Sequence, residues 1–254
     1  MKEWLNLQKT INHKIMTYCL GIKVKDGLIA IADNRITAGT EVYSNKKIST
    51  HQIGNHTLFI MTAGLRSIRD KSIIYFNQMT KEKGFKFDYM FEAVNAFAEM
   101  IRKVADEDKA SLKEEGYKFN LHSIVGGQME KDDEHKLFLV FPEGNWIEIN
   151  EGLKYQIIGN SNYGKPLLNR TLTYDTSIEE ALKLGFLSFD ATQVSASDVD
   201  YPIDVVVYHK NSFQLIEHRL EKGQMADVTR QWNALLKTSV DSLQSEWISD
   251  VLGV

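Results

Sequence analysis

Residues 17–24, TYCLGIKV, and 28–34, LIAIADN, are two short β-rich runs from which the fold of this chain can be worked out. Lys25-Asp26-Gly27 stands between them, and an Asp-Gly pair is a strong signal for a hairpin turn. A second pair follows at 46–53, KKISTHQI, and 56–64, HTLFIMTAG, separated by a Gly-Asn turn. Four strands joined in series by tight turns predict antiparallel sheet, because parallel strands need longer crossover connections.

Helical periodicity replaces the strand pattern after this block. Apolar residues between Phe87 and Val104 recur at intervals of three and four, which is typical of an amphipathic helix, and 68–79 is a second helical segment. Further strands are predicted between 121 and 159, followed by two helices, a hairpin around Asn211-Ser212 and one long terminal helix. Helices between blocks of antiparallel strands predict an α+β fold with two sheets packed face to face and helices outside.

Composition limits the class of protein. The chain has 254 residues, of which 43% are hydrophobic and 25% charged, so it can bury a substantial core within one domain. Its net charge of -4 implies no basic face, and nucleic acid is therefore not an expected partner. One cysteine, Cys19, excludes an intramolecular disulfide and a cysteine-based zinc site. No apolar run reaches the ~20 residues of a membrane-spanning helix, so we expect a cytoplasmic location and no membrane partner.

Two familiar kinds of motif fit this sequence poorly. The seven histidines show no metal-ligand spacing, and surface or half-buried positions are expected for them. Residues 159–166, GNSNYGKP, follow a strand and open a helix as a phosphate-binding loop would. Pro166, however, stands where Ser or Thr should hold Mg²⁺, and proline has no backbone N–H to offer a phosphate. The segment is therefore interpreted as a tight turn with proline in the first helical turn.

The informative constellation lies at the start of the strand-rich region. Asp33, in IADNRITAG, follows Thr17 by 16 residues, Lys47 follows Asp33 by 14, and Gly64 ends the segment MTAG. This order resembles that of the proteasome-type threonine peptidases, which are N-terminal nucleophile hydrolases. The similarity is greatest to the Anbu family, bacterial relatives of the proteasome β-subunit and of HslV. The start MTYC, the segment GNSNYGKP and the late segment DATQVSASDVDYPIDVVVY support the resemblance.

The resemblance covers nearly the whole chain from Met16 onward and implies a four-layer αββα sandwich of two antiparallel sheets. It also implies a single domain over residues 17–254. Members of this family self-associate, so a homo-oligomer is expected, either a ring or an open spiral with the active sites facing its interior. The chemistry of the family requires neither a metal ion nor an organic cofactor.

In this family the nucleophile is the hydroxyl of an N-terminal threonine, here Thr17, and its own α-amino group acts as the base. An unperturbed α-amino pKa of ~7.7–8.0 is close to the operating pH. The resemblance assigns the buried lysine to Lys47, which would favour the neutral amine and the developing alkoxide. Asp33 would pair with it, since an unpaired buried ammonium is costly. Lys46 is the alternative, but neighbouring strand residues point to opposite faces and only one can reach the core.

The remaining site residues are assigned by resemblance alone. Gly64 corresponds to the family glycine whose backbone N–H faces the developing oxyanion. Ser161 and Ser195 are expected to supply hydroxyl groups near the nucleophile, with Asp190 as their partner.

A free amino group on Thr17 requires that the residues before it be absent from the mature chain. The junction is Met16-Thr17, and threonine is small enough for ordinary removal of a preceding methionine. One hypothesis is that translation begins at Met16, so that residues 1–16 are absent from the mature protein. The other is a real extension, which leaves Thr17 internal and inactive unless the chain is cut.

The expected function is hydrolysis of peptide bonds through an acyl-enzyme on Thr17, with peptides or proteins as substrates. An unfoldase or a neighbouring enzyme could deliver them. Two alternatives stay open at this level. One is a proteasome-fold assembly or scaffold protein with weak or no peptidase activity, and the other is an N-terminal nucleophile amidase that acts on a small amide.

Overall fold

The computed structural model describes residues 17–38 and 41–253. The predicted extension at residues 1–16 lies outside them. Strands and helices alternate in blocks, in the order predicted from the sequence. The strands are β1 (Tyr18–Val24), β2 (Gly27–Asp33), β3 (Arg35–Ala38), β4 (Glu41–Ser44), β5 (Ile48–Ile53), β6 (His56–Gly64), β7 (Leu121–Gln128), β8 (Lys136–Val140), β9 (Trp146–Glu148), β10 (Tyr155–Gly159), β11 (Ile203–His209) and β12 (Leu215–Leu220). The helices are α1 (Arg66–Lys83), α2 (Met90–Glu114), α3 (Lys165–Thr171), α4 (Ile178–Ser195), α5 (Lys222–Asp241) and α6 (Glu246–Leu252).

Two five-stranded antiparallel sheets form the centre of the fold. One has the strand order β10-β1-β2-β11-β12 and the other β5-β6-β7-β8-β9, and β3 and β4 form a separate two-stranded ribbon. The predicted hairpins are present, because β1 pairs with β2 across the Asp-Gly turn and β5 pairs with β6 across the Gly-Asn turn. The ribbon was not predicted.

The sheets pack face to face through an apolar layer. Phe59 of β6 is fully buried in it, and its ring lies where a side chain on Gly126 would be. The buried members of this layer come from both sheets and include Cys19, Leu28, Ala30, Ala32, Ile48, Met61, Ile124, Leu137, Ile158 and Val206. Every residue of β1 and β2 is buried, as expected for strands covered on both faces.

Helices cover the outer face of each sheet, which gives the predicted four-layer αββα sandwich. α1 and α2 pack on the second sheet through a separate cluster that includes Phe76, Val94, Phe97 and Ile101. α4 packs on β1 and β2. It approaches them so closely at Gly185 that an added Cβ would come within 2.8 Å of Ile31 Cδ1.

The chain divides into two compact units, one that ends at Arg219 and one from Leu220 to Val254. The second unit holds α5 and α6, and neither helix has a buried residue.

The prediction of one long terminal helix was wrong, because the helix stops at Asp241 and a new one begins at Glu246. Serines at 242 and 245 flank the break, and serine competes with helical backbone hydrogen bonds through its own side chain. The single domain over 17–254 stays a prediction.

No helix within the described ranges is both long enough and apolar enough to cross a bilayer.

Candidate active site

Thr17 lies directly before β1 and is almost fully buried, with 4% of its surface exposed. Its Oγ1 donates a hydrogen bond of 2.8 Å to Asp33 Oδ1. Its carbonyl oxygen accepts one of 2.8 Å from the backbone N–H of Asn160, which follows β10. Thr17 is therefore fixed from both sides, because β2 and β10 are the two neighbours of β1 in the sheet.

Asp33, the last residue of β2, is the common acceptor of the site. Its Oδ1 accepts from Thr17 Oγ1 at 2.8 Å, from the backbone N–H of Tyr18 at 2.7 Å and from Lys47 Nζ at 2.8 Å. The antiparallel register pairs Cys19 with Ala32, so the hairpin itself brings Asp33 beside the start of β1. Three donors on one oxygen suit an ionised carboxylate.

Lys47 immediately precedes β5 and is 6% exposed. Besides Asp33, its Nζ donates to the carbonyl oxygen of Arg35 at 2.9 Å. Lys46 points the other way, with a side chain that is 46% exposed and paired with Glu217 of β12. The alternation of neighbouring residues thus places Lys47, and not Lys46, beside Thr17 and Asp33.

Two opposing effects act on the Asp33 carboxyl. Burial raises its pKa, while the adjacent Lys47 ammonium and the hydrogen bonds from Lys47, Tyr18 and Thr17 lower it. A lysine buried in this way needs its partner, because an unpaired buried charge costs several kcal/mol. Asp33 and Lys47 therefore form one electrostatic unit with the threonine hydroxyl.

Cys19 is the other nucleophilic side chain in the neighbourhood. Its Sγ lies 4.0 Å from Thr17 Oγ1 and donates to the carbonyl oxygen of Thr62 at 3.7 Å. Burial raises the pKa of the Cys19 thiol to about 12, so the thiol stays protonated at neutral pH. A protonated thiol is a poor nucleophile, which leaves the Thr17 hydroxyl as the candidate nucleophile.

The turn after β10 lies against Thr17. Gly159 has φ +89, and a Cβ at this position would lie 2.2 Å from Thr17 O. At the other end of the turn, a Cβ on Gly164 would lie 2.1 Å from Ser188 Oγ of α4. α3 then begins at Lys165 with proline in its first turn. The segment GNSNYGKP is therefore the predicted tight turn, and its glycines are required by close backbone approach.

Gly64 is the last residue of β6, with φ +148. A Cβ there would lie 2.0 Å from the carbonyl oxygen of Asn120, so only glycine fits. This steric requirement is independent of any oxyanion. The predicted role of its N–H in catalysis stays a prediction.

The other predicted hydroxyl and carboxyl groups lie in the turn after β10 and in α4. Ser161 directly follows Asn160 and is half-buried. Asp190 is buried in α4, and Ser195 is exposed at the last position of that helix. Neither serine side chain forms a hydrogen bond to Thr17 in the part of the chain that the structure describes.

Sequence reasoning missed a link between Tyr18, which follows Thr17, and α4. The hydroxyl groups of Tyr18 and Ser188 lie 2.7 Å apart, and the Tyr18 ring meets Phe189 edge-on with centroids 5.9 Å apart. Burial raises the pKa of Tyr18, so the hydroxyl keeps its proton. The two hydrogen-bonded residues are 170 positions apart in sequence, and no local pattern points to their contact.

Several buried polar atoms around Thr17 find no hydrogen-bond partner among the described residues. They are Asp33 Oδ2, Thr62 Oγ1 and Asn160 Nδ2. Unpartnered buried polar atoms are rare in proteins, and they concentrate where a bound molecule or water completes the hydrogen bonds. No group of His, Cys, Asp or Glu in the described ranges is arranged to hold a metal ion.

The arrangement can support nucleophilic chemistry. The Lys47 ammonium shares the acceptor Asp33 Oδ1 with the Thr17 hydroxyl, so a positive charge stands next to the place where an alkoxide would develop. A hydroxyl still needs a base to remove its proton. Among the described residues, the side chains that lie within hydrogen-bonding distance of Thr17 Oγ1 are Asp33 and Cys19, and Asp33 is already engaged with Lys47.

A protein-family model described as proteasome subunit matches residues 16–208, which is most of the chain. The chain belongs to the proteasome subunit family. Among curated relatives, proteasome subunit beta 2 of Pyrobaculum islandicum is 25% identical over 203 residues, covering 79% of this chain and 94% of that protein.

Solved structures of Anbu have the same fold. The helical assembly of the Anbu complex from Pseudomonas aeruginosa is 30% identical, with a TM-score of 0.84, covering 90% of this chain and 98% of that one. Anbu, described as an ancestral beta-subunit, from Yersinia bercovieri is 27% identical with a TM-score of 0.82 over the same shares of the two chains. This proteasome-family chain thus has the sandwich of Anbu, as its sequence predicted.

Proposed function

We propose that this proteasome-family protein is a threonine peptidase that hydrolyses peptide bonds through an acyl-enzyme on Thr17. The observation that carries the proposal is the hydrogen-bonded set Thr17 Oγ1, Asp33 Oδ1 and Lys47 Nζ, with both links at 2.8 Å in a buried site. A nucleophile, a cation beside it and a carboxylate that orients the cation are the parts that such a reaction needs.

The base in this proposal is the α-amino group of Thr17 itself. The proposal therefore requires a mature chain that begins at Thr17, and it is supported by a family match over residues 16–208 that leaves residues 1–15 outside. Lys47 keeps the amine neutral by like-charge repulsion and stabilises the alkoxide after the proton has left. In this proposal Gly64 donates its backbone N–H to the tetrahedral intermediate, and Ser161 and Ser195 supply hydroxyl groups to the site with Asp190 as their partner.

The protein works as a homo-oligomer in the cytoplasm. Support for assembly comes from the solved relative in Pseudomonas aeruginosa, which is a helical assembly. Sedimentation velocity of the purified chain tests this part directly, with a species larger than 29.1 kDa as the expected result.

The experiment that tests the proposal combines two measurements on one preparation. Intact mass and N-terminal sequencing should show a chain that begins at Thr17, and a panel of fluorogenic peptides should be hydrolysed. Thr17→Ala should lower the rate of hydrolysis by at least about 10³-fold. Thr17→Ser keeps a hydroxyl and should retain measurable activity. Assembly by sedimentation should be unchanged in both variants, which serves as the folding control.

Other outcomes would contradict the proposal in different ways. A chain that retains residues before Thr17 has no free amine there and cannot use this mechanism. Assembly without any Thr17-dependent hydrolysis would favour a scaffold protein. Hydrolysis of small amides but not of peptides would favour an amidase.

A further inference from the structure

A cavity of about 330 Å³ lies on the outer face of the second sheet, beside the start of α2. Four aromatic side chains line it, Tyr89, Phe91, Phe138 and Trp146. The rings of Phe138 and Trp146 meet edge to face with centroids 5.1 Å apart, and those of Tyr89 and Phe91 are stacked at 5.8 Å. Because Tyr89 and Phe91 are 39% and 44% exposed, the cavity presents aromatic surface to an incoming group.

This cavity is separate from the candidate active site. Phe138 and Trp146 belong to the apolar cluster that joins the second sheet to α1 and α2. Thr17 precedes β1 of the other sheet, and its hydroxyl contacts Asp33 and Cys19, neither of which lines the cavity. A side chain held in the cavity therefore does not touch Thr17, and a role for the cavity is independent of the peptidase proposal.

The lysines at the cavity are paired with carboxylates. Lys131 Nζ lies 2.7 Å from Asp88 Oδ2, and Lys136 Nζ lies 3.2 Å from Glu148 Oε1. Three lysines and three carboxylates in all balance one another here, and they are Lys23, Lys131, Lys136, Asp88, Glu134 and Glu148. These six groups therefore leave the cavity without net charge.

Two further carboxylates, Asp132 and Asp133, line the cavity. Asp132 Oδ2 accepts from the backbone N–H groups of Met90, at the start of α2, and of Met129, both at 2.9 Å. This oxygen thereby offsets the partial positive charge of the helix N-terminus. Within the part of the chain that the structure describes, no group donates to Asp132 Oδ1, and the exposed Asp133 forms no hydrogen bond or ion pair. The cavity is therefore acidic, with carboxylate oxygens free to accept.

The aromatic rings and the free carboxylates favour the same kind of ligand. A cation above an aromatic ring is attracted by the negative face of the ring. A guanidinium group also donates two parallel hydrogen bonds to a carboxylate. It is planar and more weakly hydrated than an ammonium, so it stacks on a ring and leaves water at lower cost. The combination of rings and carboxylates therefore suits an arginine side chain better than a lysine.

We propose that the cavity is a docking site for an arginine side chain of a protein partner. The guanidinium stacks on the exposed ring of Phe91 and donates to Asp133 and to Asp132 Oδ1. Its aliphatic stem lies against the rings of Phe138 and Trp146. Because the cavity is separate from Thr17, this arginine anchors the partner and is not a residue that is cleaved.

Peptide binding to the Thr17→Ala protein tests the proposal without hydrolysis. The probe is a dye-labelled heptapeptide with one central arginine among glycines and serines. Its unlabelled competitors carry arginine, lysine or citrulline, the neutral isostere of arginine, at the centre. Fluorescence anisotropy should give at least about 10-fold tighter binding for arginine than for citrulline, the effect of one charge-assisted hydrogen bond. The lysine peptide should lie between them, because it keeps the charge but lacks the planar fork.

Variants at two exposed residues assign the binding to the cavity. Asp133→Asn removes a carboxylate and should weaken the arginine peptide by about 3- to 10-fold, with the citrulline peptide unchanged. Phe91→Leu keeps an apolar side chain but removes the ring, and should weaken the arginine peptide by about 2- to 5-fold. Both side chains are exposed, so neither change should prevent folding. Asp106→Asn is the matched control, because it removes the same charge from an exposed position of α2 outside the cavity.

Equal affinities of the arginine and citrulline peptides would overturn the proposal. Arginine-selective binding that survives both Asp133→Asn and Phe91→Leu would overturn it as well, because the peptide would then lie elsewhere on the protein. Failure of the peptidase proposal has a different signature. Arginine-selective binding by a protein that hydrolyses no peptide would contradict a catalytic Thr17 and leave the docking site standing.

Discussion

Asp33 links the Thr17 hydroxyl to the Lys47 ammonium through a single carboxylate oxygen. Its Oδ1 accepts from Thr17, Tyr18 and Lys47, all within 2.8 Å. Because this oxygen serves three donors, Asp33 determines both the position of the hydroxyl and the placement of the charge beside it.

Asp33→Asn should therefore be costly. It keeps an oxygen for the N–H of Tyr18 but leaves Lys47 as a buried charge without a counter-ion, which costs about 3–5 kcal/mol of unfolding free energy. Urea denaturation measures this loss. In the double variant Asp33→Asn, Lys47→Met the charge is gone, so the loss should be smaller than the sum of the two single losses. Additive losses would contradict the ion pair.

Gly159 supplies a second prediction at the scale of one residue. Gly159→Ala puts a methyl group 2.2 Å from Thr17 O at φ +89, so we expect a loss of at least about 2 kcal/mol and displacement of Thr17. Gly54→Ala is the matched control, because φ is +55 but nothing lies within 4 Å. It should cost about 1 kcal/mol, the strain of the left-handed backbone alone. Urea denaturation of the two variants compares them, and equal losses would show that the contact with Thr17 does not matter.

At the scale of elements, β1, β2, β5 and β6 could be predicted because each has a β-rich run and a turn signal beside it. The same hairpins determine where Asp33 and Lys47 lie, so the centre of the candidate site could also be predicted. The ribbon of β3 and β4 could not, since each of its strands has only four residues, fewer than the runs that predicted the other strands. Contacts between distant elements, such as Tyr18 with Ser188, leave no signal in a single sequence.

Two histidines should make the unfolding free energy of the protein sensitive to acid. His51 of β5 packs between Phe76 and Phe85, with ring centroids at 5.3 and 5.9 Å, and His135 lies 2.8 Å from the carbonyl oxygen of Val24. Burial lowers the pKa of each to about 4. Between this value and the ordinary 6.5, the unfolded chain binds protons that the folded chain does not, so stability falls as pH falls through this window.

The expected loss between pH 7 and pH 5 is about 1–2 kcal/mol for each histidine, with partly exposed His51 at the lower end. Urea denaturation at both pH values measures it. His135→Gln should reduce by about one the number of protons that the chain takes up on unfolding at pH 5. A stability that does not change between pH 7 and pH 5 would contradict the neutral, buried state of these rings.

At the scale of the whole molecule, the apolar layer between the sheets holds β1 and the site in place. Phe59→Ala removes a fully buried ring from this layer and should cost about 3–5 kcal/mol in urea denaturation. Ile53→Ala, at a residue that is 61% exposed at the end of β5, should stay within about 0.5 kcal/mol. Similar losses in both variants would mean that the layer is not the core of the fold.

The most direct measurement of the central claim is peptide mapping by mass spectrometry after reaction with a peptide β-lactone, which acylates a nucleophilic hydroxyl. The account predicts one acyl group per chain, located on Oγ1 of an N-terminal Thr17, and none on Thr17→Ala. An unmodified chain that begins at Thr17, or an acyl group on another residue that persists in Thr17→Ala, would contradict it.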